Sequence, residues 1–129
     1  MGVVLAVVLA VTAFAAAGCG SDKPSYCTAT SDLKTDVNQA ASDVTSGNFS
    51  VVRADVDKIK SQAKTVVDDT KSDFPSETDA VDSSVTSLVD AVDAVPASPS
   101  AQQILELVPN VTGAVNAVDN LSNAVDSKC

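Results

Sequence analysis

Residues 104–129 read "ILELVPNVTGAVNAVDNLSNAVDSKC", and the spacing of their apolar positions decides between helix and strand. Ile104, Val108, Val111, Val115, Val118, Ser122 and Val125 recur at intervals of three and four, the period of one helix face rather than the alternation of a strand. Valine favours strands intrinsically, yet a sustained helical period outweighs the small cost of each β-branched residue in a helix. One more turn of the same stripe lands on Cys129, so the terminal cysteine is expected on the core side. Pro109 sits inside the stripe, lacks a backbone N–H and crowds the carbonyl of Leu105. A kink or break is therefore expected near Val108, in a region that Gly113 also softens.

Three earlier segments share this period. Tyr26, Thr30, Leu33, Val37, Ala40 and Val44 form the first stripe, which Gly47 ends by supplying an easy left-handed residue. Val52, Val56, Ile59, Ala63 and Val66 form the second, flanked by Phe49 and Phe74. In "FPSETD", residues 74–79, Pro75 is expected to stop that helix and Ser76 or Thr78 to cap the next. The third stripe is Val81, Val85, Leu88, Val92 and Val95, and "PASPS" at 96–100 is the last turn, with Pro99 expected at a first helical position after Ser98. Together they predict an all-α domain over residues 26–129, an up-down four-helix bundle whose fourth helix is kinked near Pro109. In that topology the first helix begins and the fourth ends at the same pole.

A chain of 129 residues suits a single domain. Aromatics make up 3% of it and His and Trp are absent, so its core must be built from small side chains. The net charge of -9 is unevenly spread: residues 19–72 hold eight acidic and seven basic residues, whereas 73–129 hold nine acidic residues and Lys128 alone. Binding a polyphosphate needs a clustered Lys/Arg footprint, so no nucleic acid is expected as a partner, and the excess of negative charge serves solubility.

The chemistry-bearing side chains are sparse. With no His and only Arg53 among arginines, the usual acid–base and nucleophile–base sets are missing, no G-x-S-x-G sequence occurs, and no enzyme activity is expected. Asp79, Asp82, Asp90 and Asp93 lie away from the third apolar stripe and read as a solvated acidic face, since a calcium loop of D-x-D-x-D-G form is absent; no metal site and no cofactor are expected. Arg53, Lys58, Lys60, Lys64 and Lys71 alternate with Asp55, Asp57, Asp68 and Asp69 on the second helix, a mixture that fits ion pairs with a neighbouring acidic helix or the orientation of a partner. The N-x-S/T triplets at Asn48, Asn110 and Asn120 match glycosylation acceptors, but a sequence this rich in Asn, Ser and Thr produces such matches by chance.

Residues 3–17, "VVLAVVLAVTAFAAA", are an apolar or small-residue run of about 15 positions, shorter than the roughly 20 that a permanent membrane helix needs. Length and small-residue exit fit a secretory signal. The following "AAGC", with Ala16, Ala17 and Gly18 ahead of Cys19, resembles the lipobox of bacterial lipoproteins. That resemblance implies removal of residues 1–18 as a lipoprotein signal peptide and lipidation of Cys19, with residues 19–25 as lipidated cysteine and short tether. An uncleaved anchor or an ordinary signal cut nearby are the alternatives. Residues 1–15 hold no Lys or Arg, although a signal starts with positive charge, so either the true start codon is expected upstream or the first residues are missing. The stretch "GSDKPS" at 20–25 reaches only about 20 Å when extended, which would keep the domain close to the membrane.

If Cys19 carries lipid, Cys27 and Cys129 are the two remaining thiols, and both would lie outside the cytoplasm, where disulfides persist. A bridge between them would link the start and end of the domain, and two free buried cysteines are the alternative. As a whole the chain resembles small cell-envelope lipoproteins of high-GC Gram-positive bacteria. The resemblance is architectural: it implies an extracytoplasmic protein held at the cell membrane by a lipid anchor and carries neither an active site nor a partner with it. The first expectation is a non-catalytic interaction or structural module of the cell envelope, for which an envelope protein of unknown identity is the candidate partner. The alternative is an extracytoplasmic binding protein holding an apolar small molecule or lipid between its helices near Pro109.

Overall fold

The first stripe folds as its spacing requires. In the computed structural model, which describes residues 24–129, α1 spans Tyr26–Ser46 and buries Tyr26, Thr30, Leu33, Val37, Ala40 and Val44. The expected signal peptide, Cys19 and most of the expected tether lie outside the described residues. Gly47 ends α1 with φ 76°, the left-handed conformation that Cβ-bearing residues resist. Its N–H donates to the Val44 carbonyl and that of Asn48 to the Asp43 carbonyl, satisfying two of the carbonyls that a helix end leaves open.

Helix α2, Phe49–Thr70, buries the expected Val52, Val56, Ile59, Ala63 and Val66, and adds Phe49 and Thr70 at its ends. The next turn corrects an expectation. Pro75 does not stop α2, which already ends at Thr70: it opens α3, Pro75–Asp93, and neither Ser76 nor Thr78 caps it, because Phe74 holds the cap position. The physical reason is that a first-turn residue has no intrahelical acceptor for its N–H, so proline loses nothing there. Thr78 is buried instead, its hydroxyl 2.9 Å from that of Thr70. Thr70 already donates to the Val66 carbonyl at 2.7 Å, which leaves Thr78 as donor within the pair.

The cap after "PASPS" is likewise shifted. Ser100, not Ser98, caps the short α4, Ala101–Leu105, in a reciprocal capping box: Ser100 Oγ accepts from the Gln103 N–H and Gln103 Oε1 accepts from the Ser100 N–H. The helical run expected to kink or break near Val108 is divided into α4 and α5, Val108–Asp126, with Pro109 in the first turn of α5. Glu106 and Leu107 keep right-handed helical angles while the ladder lapses: Leu107 N–H reaches back three residues to Ile104, and the regular bonding resumes with Val111 N–H to Leu107.

The buried face of α5 also differs from the expected stripe. Leu107, Val111, Ala114, Val118, Leu121 and Val125 are buried, whereas Val108 is 38% exposed and Val115 and Ser122 are only partly covered. From Ile104 two interleaved three-four ladders are available, and the chain turns inward the one carrying Leu107 and Leu121, whose larger side chains bury more apolar area. Among the described residues there is no strand and no helix long and apolar enough to cross a membrane. Helix α1 packs against α2 and α5, and α3 against the same two, which closes a ring of four long helices around one core.

Candidate functional site

At the start of α1, Cys27 is joined to Cys129 by a disulfide, with Cα atoms 6.1 Å apart across 102 positions of sequence. The expectation that Cys129 faces the core does not hold. It lies beyond the end of α5 and is exposed, so the bridge closes the surface of the domain rather than filling its interior. Around it the ends of several elements are pinned together. Tyr26 is buried, meets Phe74 edge-to-face at 6.0 Å and donates its hydroxyl to Asp73 at 3.3 Å. Burial, and then the negative charge and acceptor bond of Asp73, push the Tyr26 hydroxyl above its ordinary pKa.

Ion pairs join α1 to α2 and to α5, and one lies at the end of α2 itself. Lys58 pairs with Asp36 of α1 at 3.0 Å, Lys71 with Asp68 one turn before it at 3.7 Å, and Lys34 of α1 with Asp119 of α5 at 3.3 Å. Arg53 donates to the Val95 carbonyl at 2.7 Å and lies 5.0 Å over the Phe49 ring, tying the start of α2 to the end of α3. Lys60 and Lys64 take part in no ion pair among the described residues, nor do Asp82 and Asp90 of α3. These four side chains line the two walls of one groove of about 430 Å³ between α2 and α3, whose floor includes Val67 and Val89.

Pro109 borders a smaller groove of about 250 Å³ lined by Ser83, Ser84, Ser87, Asn110 and Gly113. Hydroxyl and amide groups there suit water better than an acyl chain. Asp79, Asp82, Asp90 and Asp93 are exposed on α3, and among the described residues no three carboxylates or cysteines converge as a metal-holding set.

Two further features lie outside the expected sites, one that only packing creates and one that the sequence itself carries. Asp55 of α2 places one carboxylate oxygen in a buried position without a hydrogen-bond partner, close to Asp43 of α1. Its pKa is raised by burial first, then by Asp43 and Asp36, with Lys58 opposing. Only the packing of α1 on α2 brings these carboxylates together. The S-x-x-K spacing of some serine nucleophiles occurs at Ser31–Lys34 and Ser61–Lys64, but Ser31, Ser61 and Lys64 are exposed and Lys34 is engaged by Asp119. Among the described residues no serine hydroxyl bonds to either lysine. Comparison with known protein families, with curated proteins and with solved structures finds no match for this chain.

Proposed function

We propose that this protein is a lipoprotein anchored through Cys19 to the extracytoplasmic face of a cell membrane, and that its helical domain is a non-catalytic interaction or structural module of the cell envelope. The observation that carries the proposal is the Cys27–Cys129 disulfide. Such bridges persist in oxidising compartments, and this one uses two of the three cysteines. The third, Cys19, follows the apolar run and "AAG" directly, where a lipid anchor would be attached.

The same reading takes the helices as running up, down, up and down, with α4 and α5 acting as one fourth helix bent near Pro109. Closure of the ring by α1 and α5, and the meeting of Cys27 and Cys129 at one end, support that topology. The tether and the bridged end would then face the membrane, and the α1–α2 turn with α4 would face away from it. A domain whose apolar side chains are spent on its own core, and whose surface carries nearly all of its charge, suits contact with other macromolecules more than chemistry on a small one.

Labelling cells with a fatty-acid probe tests the anchor. Wild-type protein should take up the label and sediment with membranes, while Cys19→Ser should remain unlabelled and leave the membrane fraction. Membrane retention of unlabelled Cys19→Ser would overturn the lipid anchor in favour of an uncleaved apolar one.

A further inference from the structure

The groove between α2 and α3 has walls of opposite charge. Lys60 and Lys64 project from α2, Asp82 and Asp90 from α3, all four are exposed, and Val67 and Val89 lie partly buried between them. Asp68 also stands on the α2 side, but Lys71 engages it, so the basic character of that wall is kept. An anionic ligand would meet the aspartates, and a cationic one the lysines. A surface carrying the same two stripes in reversed order meets neither obstacle.

We infer that this face docks a second copy of the same chain, about a two-fold axis that runs along the groove parallel to α2 and α3. Rotation about such an axis sets α2 of each copy opposite α3 of the other and leaves positions along the helices unchanged. Lys60 and Lys64 of one copy then face Asp82 and Asp90 of its partner, twice over, and the valine floors cover each other. Self-complementarity of this kind is what an isologous interface requires. The rotation also preserves the direction of every helix, so both chains begin at the same end. Both tethers can therefore enter one membrane; this last point alone rests on the lipid-anchor reading. Confinement to a membrane raises the effective concentration of each copy for the other, so a modest affinity suffices.

The test uses the full chain in detergent, followed by sedimentation equilibrium up to about 1 mM, where a weak dimer with Kd in that range is still populated. Lys60→Asp/Lys64→Asp and Asp82→Lys/Asp90→Lys should each weaken self-association about tenfold or more, because each sets like charges against like. The second variant lowers the net negative charge of the protein, so general repulsion predicts tighter association for it, the opposite result. Mixed one to one, the two variants should form a heterodimer at wild-type strength, since each basic wall again meets an acidic one. That rescue also excludes misfolding as the cause of the losses. A wild-type chain that stays monomeric throughout, a dimer indifferent to both reversals, or reversed variants that fail to rescue each other would overturn the proposal. Lipidation is not read in this experiment, so such a failure leaves the anchor proposal untouched.

Discussion

Asp55 is a residue that the fold tolerates rather than exploits. One of its oxygens is buried and unpartnered at the α1–α2 seam, with Asp43 and Asp36 nearby and only Lys58 opposing them. Because its folded pKa is raised above the ordinary 3.8, the folded state favours the protonated acid, which can donate to Asp43. The stability this contributes is complete below the unfolded pKa and is lost as pH rises through the folded one. Asp55→Asn should therefore raise the melting temperature at pH 7, and the advantage should vanish once the pH falls below about 4, as thermal scans across pH would reveal. An advantage that grew towards low pH would mean that the carboxylate is stabilising. Gly47 makes a second residue-scale case. A Cβ there would meet nothing within 4 Å, so the cost of Gly47→Ala comes from its φ of 76° alone and should be about 1 kcal/mol in urea unfolding.

Among the elements, α1 was fully legible and α5 was not, for a reason visible in their sequences. In α1 the six residues of the apolar stripe are the six the helix buries, and polar residues such as Asp32, Lys34 and Asp36 flank them, so one face alone could turn inward. The run from Ile104 offers Leu105, Leu107 and Val108 within one turn, so more than one face was apolar enough. Packing chose Leu107, and left Leu105 61% exposed. Truncation tests this choice: Leu107→Ala should cost about 2–5 kcal/mol in chemical unfolding, whereas Val108→Ala should cost well under about 1 kcal/mol. Equal costs would mean that the face is wrongly assigned. Ser100 and Gln103 carry the spacing of a capping box, and their two reciprocal hydrogen bonds outweigh the signal of the proline beside Ser98. Ser100→Ala should accordingly cost about 1 kcal/mol, and Ser98→Ala much less.

At the scale of the molecule, half of the buried apolar side chains among the described residues are valines, which are mediocre helix formers, so the helices depend on packing and on chain closure more than on propensity. Closing a loop of this length is worth about 4–5 kcal/mol in the chain-entropy model, a large part of the net stability of a small domain. Cys129→Ser should therefore lower the melting temperature markedly, and reductant should do the same to the wild type while leaving the variant unchanged. An unchanged melting temperature for Cys129→Ser under oxidising conditions would contradict the closure. The four helical segments and the pairing of two cysteines were within reach of sequence pattern, because periodicity and cysteine position are local facts. The groove between α2 and α3 was not: its four charges are legible one by one, but their opposition across a shared valine floor depends on how two helices sit together. The most direct measurement is the intact mass of the protein taken, without reductant, from the membrane fraction of the cells that make it. The expected species begins at Cys19, carries a diacylglyceryl group and is two hydrogens lighter than its thiol form. A chain that retains residues 1–18, or an unmodified one with three free thiols, would contradict it.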